Sequence, residues 1–378
     1  MPNPVTAFGP RVRKSPFFEA TRRYGCNAFS VFNHMYMPIY YDGPEVEFWR
    51  LVNDVSIWDV ACERQVEITG PDAFQLTQML TPRNLSRCQV GQCKYVVITG
   101  ENGGVLNDPV LLRLGENHFW LSLADSDILL WARGVALNSG LDVTIREPDV
   151  SPLQVQGPKS TAVMEKIFGD WVNELRYYWF RETELNGMPL VISRTGWSSE
   201  KGFEIFLRDG TRGDELWEVI MAAGRPHQIG PVAPNQIRRI EGAMISYGAD
   251  ATAKDNPYEL GLDRLVDLDQ TADFIGKAAL RKIKTEGVKR RLAGIEIDGK
   301  PMPQNEEWWP LLRGEQQIGE LRSGIYSPRL NKNIGMAMLA IEHVELGTQL
   351  ALETPAGGRS AQVVPMPFYD PGKNIVSE

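Results

Sequence analysis

The sequence predicts an α+β chain whose C-terminal part is all β. Three observations carry this. Residues 54–147 and residues 151–247 each combine strand-like and helix-like segments in nearly the same order, about 95 residues apart, although no sequence repeat is visible. From about residue 292 onward, short apolar runs alternate with turn residues, which suggests a closing barrel or sandwich. The 378 residues, 43% hydrophobic and 23% charged, leave room for two or three domains of ordinary composition.

The first elements lie in residues 15–50. Ser15-Pro16-Phe17 precedes a strand-like Ala28-Phe29-Ser30-Val31-Phe32 and the apolar run Met37-Pro38-Ile39-Tyr40-Tyr41. A helix follows from Pro44, with proline in its first turn and Val46, Phe48, Trp49 and Val52 on its buried side. Between the strands lies Asn33-His34-Met35, where His34 is either a hydrogen-bonded core or loop histidine or a pocket residue.

In the first repeat-like unit, residues 65–68 form a strand. Gly70-Pro71-Asp72 starts a helix that buries Phe74, Leu76, Met79 and Leu80. Residues 95–99 and 105–114 form a hairpin around Glu101-Asn102-Gly103-Gly104. A strand at 119–123 leads to Asp125-Ser126-Asp127, which caps a helix through Trp131 and Val135. In the second unit, a strand at 153–156 passes through Gly157-Pro158 into a helix ending near Phe168. Three strands follow near 177–181, 189–194 and 203–208. A helix over 214–223 has Gly224 in a C-cap-like place, and another over 234–244 aligns Ile237, Ile240 and Met244. The basic residues Lys282, Lys284, Lys289, Arg290 and Arg291 mark either a solvated linker or an attractor for an anionic tail. Strands near 294–297, 316–323 and 335–339 complete the chain.

Composition narrows the function classes. A net charge of −8 argues against a nucleic-acid partner, which needs a basic face. No run of about 18 apolar residues exists, so no membrane span is expected. Residues 1–6 lack the basic and apolar regions of a secretory signal. Cys26, Cys62, Cys88 and Cys93 are sparse and lack Cys-x-x-Cys spacing, as expected of reduced thiols in a cytoplasmic protein. The four histidines are scattered, so no metal site is expected.

Chemistry concentrates in Arg194-Thr195-Gly196-Trp197-Ser198-Ser199-Glu200-Lys201-Gly202-Phe203-Glu204-Ile205-Phe206. Strand alternation places Glu204 and Phe206 on one face and Phe203, Ile205 and Leu207 on the other. A carboxylate in an apolar strand needs a reason, because burying an unpaired charge is costly. Glu204 either faces solvent or accepts two parallel hydrogen bonds from a ligand with adjacent N–H groups.

The run Arg-Thr-Gly-Trp-Ser-x-x-x-Gly-Phe-Glu resembles a motif of the folate-dependent aminomethyltransferases, the glycine-cleavage T-protein family. The resemblance spans roughly residues 15–340, through Gly103-Gly104-Val105-Leu106-Asn107-Asp108, residues 235–241, Ser246-Tyr247-Gly248-Ala249-Asp250, Asn256-Pro257-Tyr258-Glu259, Phe274-Ile275-Gly276-Lys277 and residues 323–328. It implies a three-domain aminomethyltransferase-like fold around a central folate cleft. Residues 1–53 with 148–281 would form a first, discontinuous folate-binding α+β domain. Residues 54–147 would form the second, both ferredoxin-like, and 282–378 a C-terminal β-barrel.

The resemblance also implies roles. Glu204 would hold the 2-amino-4-oxo edge of tetrahydrofolate's pterin. Asp108 would lie near the reacting nitrogen, although its side chain is equally suited to turn amides. Asn107 stands where the family has a further acidic residue, which removes a charge useful for an amine-linked fragment. Arg239 matches an arginine able to clamp a carboxylate, or to pair with Glu241 or another neighbour on its helix. Tyr95 and Tyr247 would line the cleft or belong to the core.

Several segments resemble the dimethylsulfoniopropionate-demethylating branch of the family more than the T-protein. They include Asn33-His34-Met35, Trp58-Asp59-Val60, residues 63–68, residues 106–110 and Ala124-Asp125-Ser126-Asp127. That branch moves a methyl group from a sulfonium to N5 of tetrahydrofolate, giving methylmercaptopropionate and 5-methyltetrahydrofolate. The residues expected toward substrate are Trp197, Tyr247, His34 and Phe206. Trp197 suits a cation because an indole face attracts one, with a core role as its other reading. Phe203 and Phe206 stand where tyrosines are expected in that branch, so the donor can differ. The alternatives are aminomethyl transfer, demethylation of a methylated amine or ether with Tyr247 as proton donor, and folate binding without catalysis. An S-demethylase needs no carrier protein, whereas a T-protein implies a lipoyl-carrying partner. A homodimer is compatible with the sequence.

Overall fold

In the computed structural model, residues 7–377 are described, so the reading of residues 1–6 lies outside the described residues. The described residues build two large sheets and a barrel, beside two two-stranded sheets, Ala28–Phe32 with Met35–Tyr40 and Ile98–Thr99 with Val105–Asn107. A six-stranded sheet runs in the order Phe180–Leu185, Met188–Ser193, Gly202–Leu207, Ser151–Gln156, Ser56–Asp59, Gly230–Pro231. Its neighbours are antiparallel except for the last pair. A five-stranded antiparallel sheet orders Thr144–Arg146, Gln65–Thr69, His118–Ser122, Val110–Gly115 and Cys93–Tyr95. The closed barrel orders Arg290–Ile297, Lys332–Ala340, Gln316–Ser327, Trp309–Arg313, Gln349–Thr354 and Gly357–Val364. Closure leaves this sheet no edge to protect.

Apolar faces explain the layering. One face of the six-stranded sheet packs Leu153, Val155, Ile192, Phe203 and Ile205 against Val163 and Met164 of helix Ser160–Phe168 and Leu216, Trp217 and Ile220 of helix Gly213–Gly224. The five-stranded sheet does the same with Val66, Ile68, Phe119 and Leu121 under helices Ala73–Leu80 and Ile128–Leu137. The other faces of the two sheets meet through Trp120, Leu112, Val191 and Phe206. Helix Gln236–Glu241 and Phe48 then join barrel residues Leu292, Ile334 and Met336.

Differences from the expected elements have local causes. In helix Pro44–Asn53, Val46 and Trp49 are exposed and Val52 is only partly buried. The buried face is Glu47, Phe48 and Leu51, because Glu47 Oε1 accepts the N–H groups of Tyr41 and Gly43, and its Oε2 that of Ala233. The 95–114 hairpin is interrupted. Cys93–Tyr95 pairs with Val110–Gly115, while Ile98–Thr99 pairs separately with Val105–Asn107. Pro109 lies at the break and has no N–H for a ladder. The strand expected from 177 begins at Phe180, since Tyr178 adopts φ 62°, outside any strand. Gly224 is the last residue of its helix, not a cap; a Cβ there would come within 2.6 Å of Ile229. Helix Gln236–Glu241 is capped by Asn235 and stops before Met244, with Ala243 at φ 51°. Residues 277–286 are helical, and Arg290 pairs with Asp255 and Glu259, so the basic run is not a free linker.

Ser56–Asp59 pairs with Leu153 through Gln156 in the six-stranded sheet, so the crossing to the five-stranded sheet falls between Asp59 and Gln65. The four cysteines are unpaired. Among the described residues, no helix is long and apolar enough to cross a membrane, and no group of three or more His, Cys, Asp or Glu could hold a metal ion.

Candidate active site

The loop after strand Met188–Ser193 is built around one inserted side chain, Gln156. Its amide nitrogen donates to the carbonyls of Thr195 and Phe203, each at 3.1 Å, and Ser198 Oγ donates to its oxygen at 2.5 Å. A Cβ on Gly196 or on Gly202 would collide with that amide. The two glycines of the motif are therefore there to admit Gln156. With the loop fixed, Trp197 donates its indole N–H to the Ile245 carbonyl at 3.2 Å and lines the cleft.

Glu204 sits opposite Gln154 on one side and Ser193 on the other. Gln154 donates to Oε1 at 2.8 Å and Thr195 Oγ to Oε2. It is 4% exposed, so it does not face open solvent. Burial raises its pKa, opposed by the two donors. Each carboxylate oxygen keeps accepting capacity beyond one hydrogen bond.

The interrupted hairpin delivers the second group. Tyr95 donates to Asp108 Oδ2 at 2.9 Å, and Asp108 Oδ1 is buried without a partner. Burial pushes Asp108 up to about 7 against the pull of the Tyr95 hydroxyl. Tyr247 donates to the Val105 carbonyl at 3.1 Å, and burial lifts its hydroxyl to about 12. Glu204, Asp108, Tyr95, Tyr247 and Trp197 all line one cavity of roughly 1100 Å³, at the upper end for a small-molecule site.

Three expected residues lie elsewhere. His34 is exposed in the turn between Ala28–Phe32 and Met35–Tyr40 at φ 62°; its buried neighbour Asn33 bridges the Cys62 and Ala124 carbonyls instead. Phe206 shares the face of Glu204, as alternation requires, but packs on Trp120 between the sheets, ring centroids 6.2 Å apart. Arg239 is 1% exposed and satisfied within the protein. It pairs with Asp250, not Glu241, and donates to Gln236 Oε1 and Ser323 Oγ. Its neighbour Arg238 reaches the cleft and pairs with Glu200 at 2.6 Å.

The cleft also holds residues that sequence reasoning passed over: Glu63, Tyr177, Tyr178, Arg83 and Arg264. Glu63 opens the 63–68 segment that resembles the demethylating branch, but nothing in the sequence singles it out as a cleft residue. Tyr177 and Tyr178 look like strand residues, and only their geometry marks them. Tyr178 is held in the left-handed region by bonds from its N–H to the Arg194 carbonyl and from the Cys93 N–H to its own carbonyl. Such strain gathers at functional sites.

Comparison with known families matches residues 17–270 to the GCVT N-terminal domain and residues 290–370 to the glycine cleavage T-protein C-terminal barrel domain. The chain belongs to the glycine-cleavage T-protein family. Within that family it is 40% identical over 353 residues to the dimethylsulfoniopropionate demethylase of Ruegeria pomeroyi, covering 93% of this chain and 96% of that protein. It is 28% identical over 368 residues to an aminomethyltransferase of Bacillus cytotoxicus, covering 96% and 99%. Its fold matches the crystal structure of glycine cleavage system aminomethyltransferase T from Bartonella henselae, with a TM-score of 0.86 at 22% identity over 95% and 98% of the two chains. The three-part T-protein-family fold thus holds for this chain, and its N- and C-terminal parts coincide with the sheets and the barrel.

Proposed function

We propose that this chain is a tetrahydrofolate-dependent demethylase. It moves a methyl group from the sulfur of dimethylsulfoniopropionate to N5 of tetrahydrofolate, giving methylmercaptopropionate and 5-methyltetrahydrofolate. The observation that carries this is the 40% identity, over nearly the whole of both chains, to a demethylase of that compound.

The cleft residues fit tetrahydrofolate, the methyl-accepting substrate of this reading. Glu204 is a buried double acceptor with capacity to spare, as a pterin edge with adjacent N–H groups requires. Asp108 offers an oxygen with no hydrogen-bond partner among the described residues. The chemistry asks little acid help. The S–CH3 bond breaks with its electron pair left on sulfur as a neutral thioether, the N5 lone pair forms the new bond, and N5 gives up its proton. Asp108, close to neutral pH in its titration, is suited to receive that proton. Trp197 presents an aromatic face to the sulfonium. The rest is alignment of nitrogen, carbon and sulfur, worth up to ~7–11 kcal/mol when well oriented. Tyr95 orients Asp108, and Tyr247 borders the same space.

The test is product formation from dimethylsulfoniopropionate with and without tetrahydrofolate, oxygen excluded. This reading expects methylmercaptopropionate only when tetrahydrofolate is present, one mole per mole consumed. Product without the folate, or none with both, would count against it.

A further inference from the structure

Asp108 sits in a gap between two strand pairings. The pairing with Ile98–Thr99 ends at Asn107, and the pairing with Cys93–Tyr95 begins at Val110. After the gap, the Pro109 carbonyl accepts the Val96 N–H at 3.0 Å. Before it, the side chain of Asn107 is the anchor. Its Oδ1 accepts the Ala124 N–H at 3.0 Å, and its Nδ2 donates to the Ala124 carbonyl at 2.9 Å and to Ser126 Oγ at 2.8 Å. Ser126 Oγ in turn donates to the Leu106 carbonyl at 2.5 Å. Asn33, in the turn of the first hairpin, brings a second donor to the Ala124 carbonyl at 2.8 Å, and Asp125 Oδ1 accepts its N–H at 2.7 Å.

Asn107 is fully buried and, unlike Asp108 and Ala124, does not border the cleft. In the sequence it reads as a charge missing near the donor, yet in the fold its amide is taken up by protein groups. A facing N–H and C=O call for one planar group that both gives and accepts, which an amide does and an ionised carboxylate, an acceptor only, does not. We propose that Asn107 is a positioning residue for Asp108: its amide ties the break in the hairpin to the 124–126 loop and so fixes where the Asp108 carboxyl meets the reacting nitrogen. This rests on the demethylase reading above. Because Asn107 acts through Asp108 and lies outside the cleft, its loss falls on turnover and not on substrate binding.

The experiment joins kinetics to crystallography. The variants are N107A, S126A, D108N and the pair N107A/D108N, each checked by thermal unfolding. S126A removes the Leu106 tie and one Asn107 partner from a half-buried place, so it reports even where N107A does not fold. Rates with dimethylsulfoniopropionate and tetrahydrofolate give kcat and both KM values, and crystal structures of wild type, N107A and S126A show where the Asp108 carboxyl lies. N107A is expected to lower kcat about 10-fold and S126A about 3-fold, with each KM within about 2-fold of wild type. In the D108N background the Asn107 change is expected to cost less than about 2-fold, since residues acting as one unit do not add. In the variant crystals the Asp108 carboxyl is displaced and its bond from Tyr95 lost. A loss from N107A that is as large in the D108N background overturns the proposal. So does a loss carried by KM, or an Asp108 that stays in place in the variant crystals. Failure of the wild type to form methylmercaptopropionate overturns the demethylase reading instead, and the crystals still decide whether Asn107 places Asp108.

Discussion

Glu204 shows how a single residue type is forced by its surroundings. It stands in a strand whose other face is wholly apolar, yet Gln154 and Thr195 hold it as an acceptor. Replacing it by alanine orphans both donors and removes the ligand's partner. Glu204→Ala should therefore lose folate affinity by roughly 10- to 100-fold, about 1.5–3 kcal/mol in total, the worth of one hydrogen bond to a charged group; calorimetric titration with 5-formyltetrahydrofolate measures it, and unchanged affinity would remove the assignment. Asp108 sets a pH dependence. Below about 7 it is neutral and cannot take a proton; above, it is an anion and can. Demethylation rate should rise through pH about 7 and level off, and Asp108→Asn should lower it about 10²-fold and erase that limb. Trp197→Ala should raise the KM for the sulfonium about 10-fold, a cation–π share of ~1–2 kcal/mol, with folate affinity little changed. Equal loss of both, or of neither, would argue against the aromatic face.

At the scale of elements, the motif loop is a packing problem solved by two glycines. Gly202→Ala should cost about 1–3 kcal/mol, the usual penalty of forcing atoms into a filled space, and thermal unfolding would register it; a variant as stable as wild type would mean that Gln156 can move aside. The elements also mark where sequence reading succeeds. Alternation alone put Phe203, Ile205 and Leu207 on one face of their strand and Glu204 with Phe206 on the other, and all five lie so. It could not tell that the shared face divides, with Phe206 under Trp120 and Glu204 in the cleft, because that division is made by the second sheet. The helix from Pro44 was misjudged for a related reason. Glu47 looks like a surface residue until the loop amides it serves are placed around it. Arg239 resembled a ligand clamp because its partner Asp250 is eleven positions along and brought near only by the turn after helix Gln236–Glu241.

In the whole molecule the cleft belongs to no single domain. The six-stranded sheet supplies Glu204, the five-stranded sheet's broken hairpin supplies Tyr95 and Asp108, the barrel supplies Ala293 and Val363, and the segment beyond it supplies Met366 and Tyr369. Tyr369 is itself held by Arg329 at 4.1 Å and Arg238 at 5.5 Å over its ring. Family motifs made Glu204, Asp108 and Trp197 legible, since each lies in a contiguous signature. Glu63 and Tyr178 were not, because only tertiary packing makes them neighbours of the site. The central claim is that one methyl group passes from sulfur to folate nitrogen in this cleft. It is tested most directly with dimethylsulfoniopropionate carrying deuterated S-methyl groups, tetrahydrofolate and the purified protein without oxygen, followed by mass spectrometry of the folate. The account predicts 5-methyltetrahydrofolate bearing the intact deuterated methyl, in step with methylmercaptopropionate. Unlabelled folate, or label reaching it only as a methylene fragment, would contradict it.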